Sequence, residues 1–189
     1  TGVTSEAKGI SMSLLEGDDS VENAIATFEN SGEITTTSKL NIDFTAENDS
    51  IDKDYEPFKA IATGLEISGS DAEITNAELG TITALAEINV DEQGTIIGTY
   101  SLFAESNGIK SYGLDTTILT NLGNIEAQAI FNGSDYSNVS TNGINIDGGM
   151  SNQSAIITGN TITVKAEAKN TDDQGNAYAG ANGIYINDS

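Results

Sequence analysis

The chain has 189 residues, 37% of them hydrophobic, which suffices for one domain with a sizeable core or for several turns of a repeat structure. Its 29 acidic residues outnumber 7 basic ones, all lysine, and the net charge of -22 argues against binding to nucleic acids or anionic membrane surfaces. Cys, His, Trp and Arg are absent, which excludes disulfides, thiolate nucleophiles, imidazole bases and the usual zinc sites. No stretch approaches the roughly 20 apolar residues of a membrane helix, and we expect no membrane insertion.

A short motif, glycine followed by apolar residues at alternate positions, recurs along the chain. It begins at Gly9, Gly64, Gly143 and Gly183, with a weaker copy at Gly108. Successive copies are 55, 44, 35 and 40 residues apart. Recurrence of a whole motif predicts a solenoid in which each unit stacks on its neighbours. The expected units are 9–63, 64–107, 108–142, 143–182 and a truncated 183–189.

A second motif lies inside each unit, where glycine precedes a longer alternating run. Its clearest copies follow Gly80, Gly123 and Gly159, and the apolar Ile, Val and Ala alternate there with Thr, Glu, Gln and Lys. A step of two places the apolar residues on one face of a half-buried strand, whereas a helix requires steps of three and four. We therefore expect Ile82, Ile125 and Ile162 to form a continuous inner column.

The segments between the motifs are rich in Gly, Asn, Asp and Ser, which favour corners and surface loops. The longest of them, 41–59, contains the only proline and predicts a loop insertion from the first unit. It carries four acidic residues that offer hard oxygen ligands to calcium, namely Asp49, Asp52, Asp54 and Glu56. No EF-hand or Gly-Gly-x-Gly-x-Asp spacing accompanies them, so an exposed acidic loop is the alternative.

These patterns predict an all-β fold, a parallel β-helix of imperfect repeats of about 35–55 residues, with 1–189 forming one solenoid segment. An antiparallel β-sandwich is the alternative, because glycine-punctuated alternation also describes its strands. The solenoid is favoured since whole motifs recur in register. The last residues, 183–187, have the pattern of a new repeat, so we expect the chain to be a piece of a longer protein.

The cadence Asn-x-Gly-x-Ile, found at 30–34 and 121–125 and followed later by Asn-Gly-Ile, resembles the repeats of autotransporter-like passenger domains and large bacterial adhesins. The resemblance covers most of 64–189 and part of the first sixty residues. It implies a right-handed parallel β-helix, secreted to the bacterial cell surface or extracellular matrix, that serves adhesion, spacing or filament assembly. The implied partners are neighbouring repeats, further copies in a filament and cell-surface glycans.

An enzyme is the alternative function, because β-helices also include polysaccharide lyases and hydrolases. The run Asn170-Thr171-Asp172-Asp173 resembles the acidic motif of polygalacturonase-type hydrolases, in which paired carboxylates act as acid and base. That family also uses His and Arg motifs, which this chain lacks. We therefore expect a non-catalytic protein, with a tailspike-like polysaccharide depolymerase as the alternative. Four tyrosines are candidates for stacking on sugar rings or for packing between coils: Tyr112, Tyr136, Tyr178 and Tyr185.

Overall fold

The computed structural model describes residues 3–13, 25–44, 58–69, 71–92, 102–112, 116–133, 137–148, 154–170 and 177–188. Within these ranges the chain forms eleven strands and no helix. The strands are β1 (Thr4–Ser13), β2 (Ile25–Asn30), β3 (Glu33–Phe44), β4 (Phe58–Ser68), β5 (Asp71–Asn76), β6 (Thr81–Glu92), β7 (Leu102–Tyr112), β8 (Thr116–Gly133), β9 (Ser137–Gly148), β10 (Ser154–Asn170) and β11 (Ala177–Asp188).

The strands wind into a coil with three faces. The first face is one sheet, in the order β1, β4, β7, β9 and β11, and all its pairs are parallel. The long strand β8 pairs with β5 through its first part and with β6 through its second, so one bent sheet supplies the other two faces. β2 and β3 flank that sheet on one side and β10 on the other, again in parallel. This topology confirms the all-β parallel β-helix and excludes the antiparallel sandwich.

The register of the first face reproduces the spacing of the first motif. Thr4 pairs with Lys59, Lys59 with Phe103, Phe103 with Asn138, and Asn138 with Tyr178. The steps per turn are therefore 55, 44, 35 and 40 residues, which confirms imperfect repeats of about 35–55 residues. Such a regular register requires that each turn add its strands directly above those of the turn before it.

The core is a stack of small and branched side chains. Ile34, Ile82 and Ile125 occupy one register column, and the last two are fully buried. Ile162 continues this column and packs against it as a half-buried residue. The expected inner column is thus confirmed. A second cluster fills the other end of the cross-section and consists largely of alanine, with Phe58, Leu102, Val139, Ile88 and Phe131.

The glycines of the first motif make room for the isoleucines of the second. A Cβ atom on Gly64 would lie 2.5 Å from Cγ2 of Ile82 and 2.7 Å from the carbonyl oxygen of Gly108. The same Ile contact recurs one turn later between Gly108 and Ile125. A side chain at these positions would therefore collide with both the opposite face and the next turn. The near-constant offset between the two motifs follows from this contact.

The boundaries of the predicted loop insertion at 41–59 are wrong at both ends. Residues 41–44 belong to β3, where Asn41 pairs with Asn89 of β6, and Phe58 and Lys59 begin β4. Asn41 matches the composition of a loop, but its amide belongs to a column of stacked asparagines that holds it in the strand. The middle of the predicted insertion, 45–57, lies outside the described residues.

We expect Gly64→Ala to lower the free energy of unfolding by about 1–3 kcal/mol, because the added methyl group overpacks the contact with Ile82. The matched control is Gly32→Ala, since nothing lies within 4 Å of a Cβ atom at Gly32. Urea unfolding midpoints measure both variants. Equal stability of Gly64→Ala and the parent protein would contradict the proposed role of this contact.

Candidate functional site

The predicted calcium ligands Asp49, Asp52, Asp54 and Glu56 lie outside the described residues. Among the residues that the structure does describe, no three His, Cys, Asp or Glu side chains are grouped to hold a metal ion. Of the acidic run near 170, only Asn170 is described, at the end of β10. Calcium binding by the acidic segment therefore stays a prediction.

A buried column of asparagines closes the corner between the second and third faces. Asn30 Nδ2 donates to Asn76 Oδ1 at 2.8 Å, and Asn76 Nδ2 donates to Asn121 Oδ1 at 2.7 Å. The same nitrogens also lie 3.4 and 3.2 Å from the carbonyl oxygens of Thr81 and Asn124, where the chain resumes as the third face. Each of these Nδ2 groups thus donates both to the next amide of the column and to a backbone carbonyl at the corner. The first Asn of the Asn-x-Gly-x-Ile motif therefore has a structural role in this corner.

A second asparagine column lies on the outer side of the first face. It comes from the Asn-Gly-Ile copies: Asn142 Nδ2 donates to Asn107 Oδ1, and Asn182 Nδ2 donates to Asn142 Oδ1, both at 3.0 Å. Although Asn107 points away from the core, it is fully buried. An outward side chain is buried only where the outer surface folds over it.

The strands of the first face bend at the glycine column. On β7, Gly108 faces Ile125 in the core and Ile109 is buried beside it, so two consecutive residues point inward. Their outer neighbours therefore converge, and Lys110 Nζ lies 3.9 Å from Glu105 Oε1, five residues away. We call the resulting furrow the crease. It is lined by Glu105, Asn107, Lys110 and the residues in register with them on β1, β4, β9 and β11.

The crease is charged where it crosses β1 and β4. Glu66 is only 6% exposed, and its Oε1 accepts a hydrogen bond from Lys8 Nζ at 2.8 Å. Ser11 Oγ and the Tyr112 hydroxyl lie 3.3 and 3.5 Å from the same oxygen. Lys8 also lies 3.3 Å from Glu6. The hydrogen bond to Glu66 raises the pKa of Lys8 above its ordinary value of 10.5, because it favours the ammonium form.

The crease is uncharged where it crosses β11. The residues of β11 that line the crease are Gly180, Asn182 and Tyr185, and Tyr185 is exposed. Tyr178 points outward two residues before Gly180 and is also exposed. Asn145 of β9 pairs in register with Tyr185 and is 8% exposed. Its Nδ2 donates to Asn107 Oδ1 at 3.2 Å, but no described residue provides a hydrogen bond to its Oδ1. A buried acceptor without a protein donor is unusual and requires an explanation.

The sequence pattern contained a signal for the crease that our sequence reasoning missed. The buried apolar residues of β7 fall on even numbers at Leu102 and Ala104 and on an odd number at Ile109. This change of phase within one strand marks the bend. Of the four predicted tyrosines, Tyr112, Tyr178 and Tyr185 lie on the outer side of the first face, and Tyr136 lies outside the described residues.

Comparisons with protein-family models, with curated proteins and with solved structures gave no match to the chain. Within the described ranges, no helix is long and apolar enough to cross a membrane.

We expect Asn76→Ala to cost about 2–3 kcal/mol of unfolding free energy, because it leaves the buried amides of Asn30 and Asn121 short of a partner. Asn89→Ala is the matched control. Asn89 belongs to a more exposed amide column, where water replaces the lost bonds to Asn41 and Asn132. The two urea midpoints should differ clearly, and similar losses would contradict a special role for the corner column.

Replacing Lys8 should make the free energy of unfolding less sensitive to pH in the alkaline range. Because the folded pKa of Lys8 is raised, its contribution is complete below about pH 10.5 and is lost as pH rises through the folded value. Lys8→Met should therefore cost about 1 kcal/mol at pH 8 and less at pH 11, since Lys8 is partly exposed. Lys39→Met, which removes a more exposed partner of Glu87, is the control. A pH-independent loss would contradict this assignment.

Proposed function

We propose that the chain is a non-catalytic structural and adhesive repeat segment, secreted to the bacterial cell surface or the extracellular matrix. The observation that supports this most directly is the uniform parallel stacking of β1, β4, β7, β9 and β11. Each turn contacts only its neighbours, so such a coil gains length by adding turns and keeps the same core. The role of such a coil is then to span a distance, to space other groups and to display its outer surfaces.

The charge of the chain is consistent with this role. A net charge of -22 keeps an extended extracellular protein soluble and makes it responsive to divalent cations. Calcium, held by the segment around Asp49 and Glu56, is the cofactor that we propose. The proposed partners are neighbouring repeats of the same protein, further copies in a filament and glycans on cell surfaces.

The alternative is a tailspike-like depolymerase that uses carboxylates of the crease, where Glu66 and Glu105 are the candidates. Glu66 is buried, and its Oε1 already accepts hydrogen bonds from Lys8 and Ser11. A catalytic carboxyl group, whether nucleophile or general acid and base, needs an oxygen that the substrate can reach. These contacts favour the structural role over catalysis.

We expect the purified chain to release no new reducing ends and no unsaturated products from acidic polysaccharides over a prolonged incubation. A polysaccharide lyase in a parallel reaction verifies that the substrates are competent. Turnover by this chain, abolished by Glu105→Gln or Glu66→Gln, would overturn the non-catalytic assignment.

Electron microscopy with and without Ca²⁺ separates the two forms of the structural role. Long ordered fibres would support filament assembly, and discrete particles would support spacing and adhesion.

A further inference from the structure

Three side chains of β7 come together on the outer side of its bend, in an inner turn of the coil between β4 and β9. Because Gly108 and Ile109 both point inward, Asn107 and Lys110 become neighbours on the outer side, next to Glu105. Asn107 Nδ2 donates to Glu105 Oε1 at 2.9 Å, and Lys110 Nζ lies 3.9 Å from the same oxygen. An amide and an amine thus share one carboxylate oxygen.

The side-chain carbonyl group of Asn107 is held as an electrophile. Its Oδ1 accepts hydrogen bonds from two buried amides, Asn142 Nδ2 at 3.0 Å and Asn145 Nδ2 at 3.2 Å. Two donors aimed at one carbonyl oxygen stabilise the negative charge that develops there when a nucleophile adds to the carbon. Asn107 has no exposed surface, so its carbonyl carbon is shielded from water.

The amine of Lys110 is placed to be that nucleophile. Its side chain is 28% exposed, and its contact with Glu105 at 3.9 Å is an ion pair longer than a hydrogen bond. Lys110 is in register with Asn145, whose buried Oδ1 has no donor among the described residues. As the amine turns from Glu105 towards Asn107, this oxygen can accept one of its hydrogens.

We infer that Lys110 and Asn107 join in an intramolecular amide bond with loss of ammonia. Glu105 takes a proton from the Lys110 ammonium group, and the amine adds to Cγ of Asn107. The Nζ–Cγ bond forms, the Cγ–Nδ2 bond breaks, and Glu105 gives its proton to the departing Nδ2. The attacking nitrogen sheds a second proton, which leaves with the ammonia as ammonium. This exchange of one amide for another needs no oxidant and no further reactant.

The bond ties together the two sides of the bend in β7. Of the five strands of the first face, only β7 has Glu, Asn and Lys at these three register positions, so the reaction is specific to one turn. It takes place once in each molecule and has no external substrate. The inference therefore goes beyond the structural function proposed above and does not depend on it.

Mass spectrometry of the intact chain tests the bond. The folded parent protein should become lighter than its sequence mass by one molecule of ammonia, whereas the chain kept unfolded in urea should retain its full mass. After denaturation, trypsin should no longer cleave the parent protein after Lys110, because the new amide removes the charge that trypsin recognises. Lys110→Arg preserves the charge beside Glu105 and should keep the full mass. Lys8→Arg, the matched control in the same crease, should lose ammonia as the parent does.

Glu105→Gln keeps the size of the side chain and should slow the loss of ammonia by about a hundredfold or more, because the group that carries the proton is gone. Urea midpoints establish that each variant is folded. A succinimide formed between Asn107 and Gly108 also releases ammonia, but it leaves Lys110 open to trypsin and reacts with hydroxylamine. That result, or an unchanged mass after prolonged incubation of the folded parent protein, would overturn the inference.

Discussion

The close approach of the first face to the isoleucine column is the contact on which the fold depends. Gly64 and Gly108 lie against Ile82 and Ile125 at distances that no side chain tolerates, so the two faces can meet only where glycine recurs. This approach keeps the cross-section narrow, and it explains why alanine rather than leucine dominates the other end of the core. It also explains why both motifs keep their mutual offset while the repeats differ in length.

The polar side chains that stack in register from turn to turn are asparagine amides, and electrostatics explains why amides occupy these positions. Residues in register on neighbouring strands lie about 4.8 Å apart. Like charges at that distance repel, whereas amides at the same distance donate and accept in series. The columns of Asn76 and Asn142 therefore run through turn after turn of a strongly acidic chain. The buried carboxylate of Glu66, by contrast, requires Lys8 as a direct partner.

The sequence was sufficient to predict the repeat and the core, but it did not predict the crease. The glycine spacing and the step-two alternation identified the register and the column of Ile82 and Ile125, because both depend on local pattern. The crease depends on a change of phase at Gly108, and only the three-dimensional contacts of Asn107 and Asn145 assign it to the outer surface. Composition also misplaced the start of the insertion, since Asn41 has a loop-like sequence but a strand register.

The variation in repeat length bears on how the protein diversifies its surface. Within each described pair of strands the register is constant apart from a shift near Gly159, so the differences between turns of 55 and 35 residues fall between strands. The core and the connections between strands are thus under separate constraints. The contact of glycine with isoleucine fixes the spacing within the core, whereas the connections can vary in length. The outer side of the first face combines both properties. Its backbone is set by the core, while the residue in register changes from Ser11 through Glu66 and Lys110 to Asn145 and Tyr185, which gives each turn a different chemistry on one rigid frame.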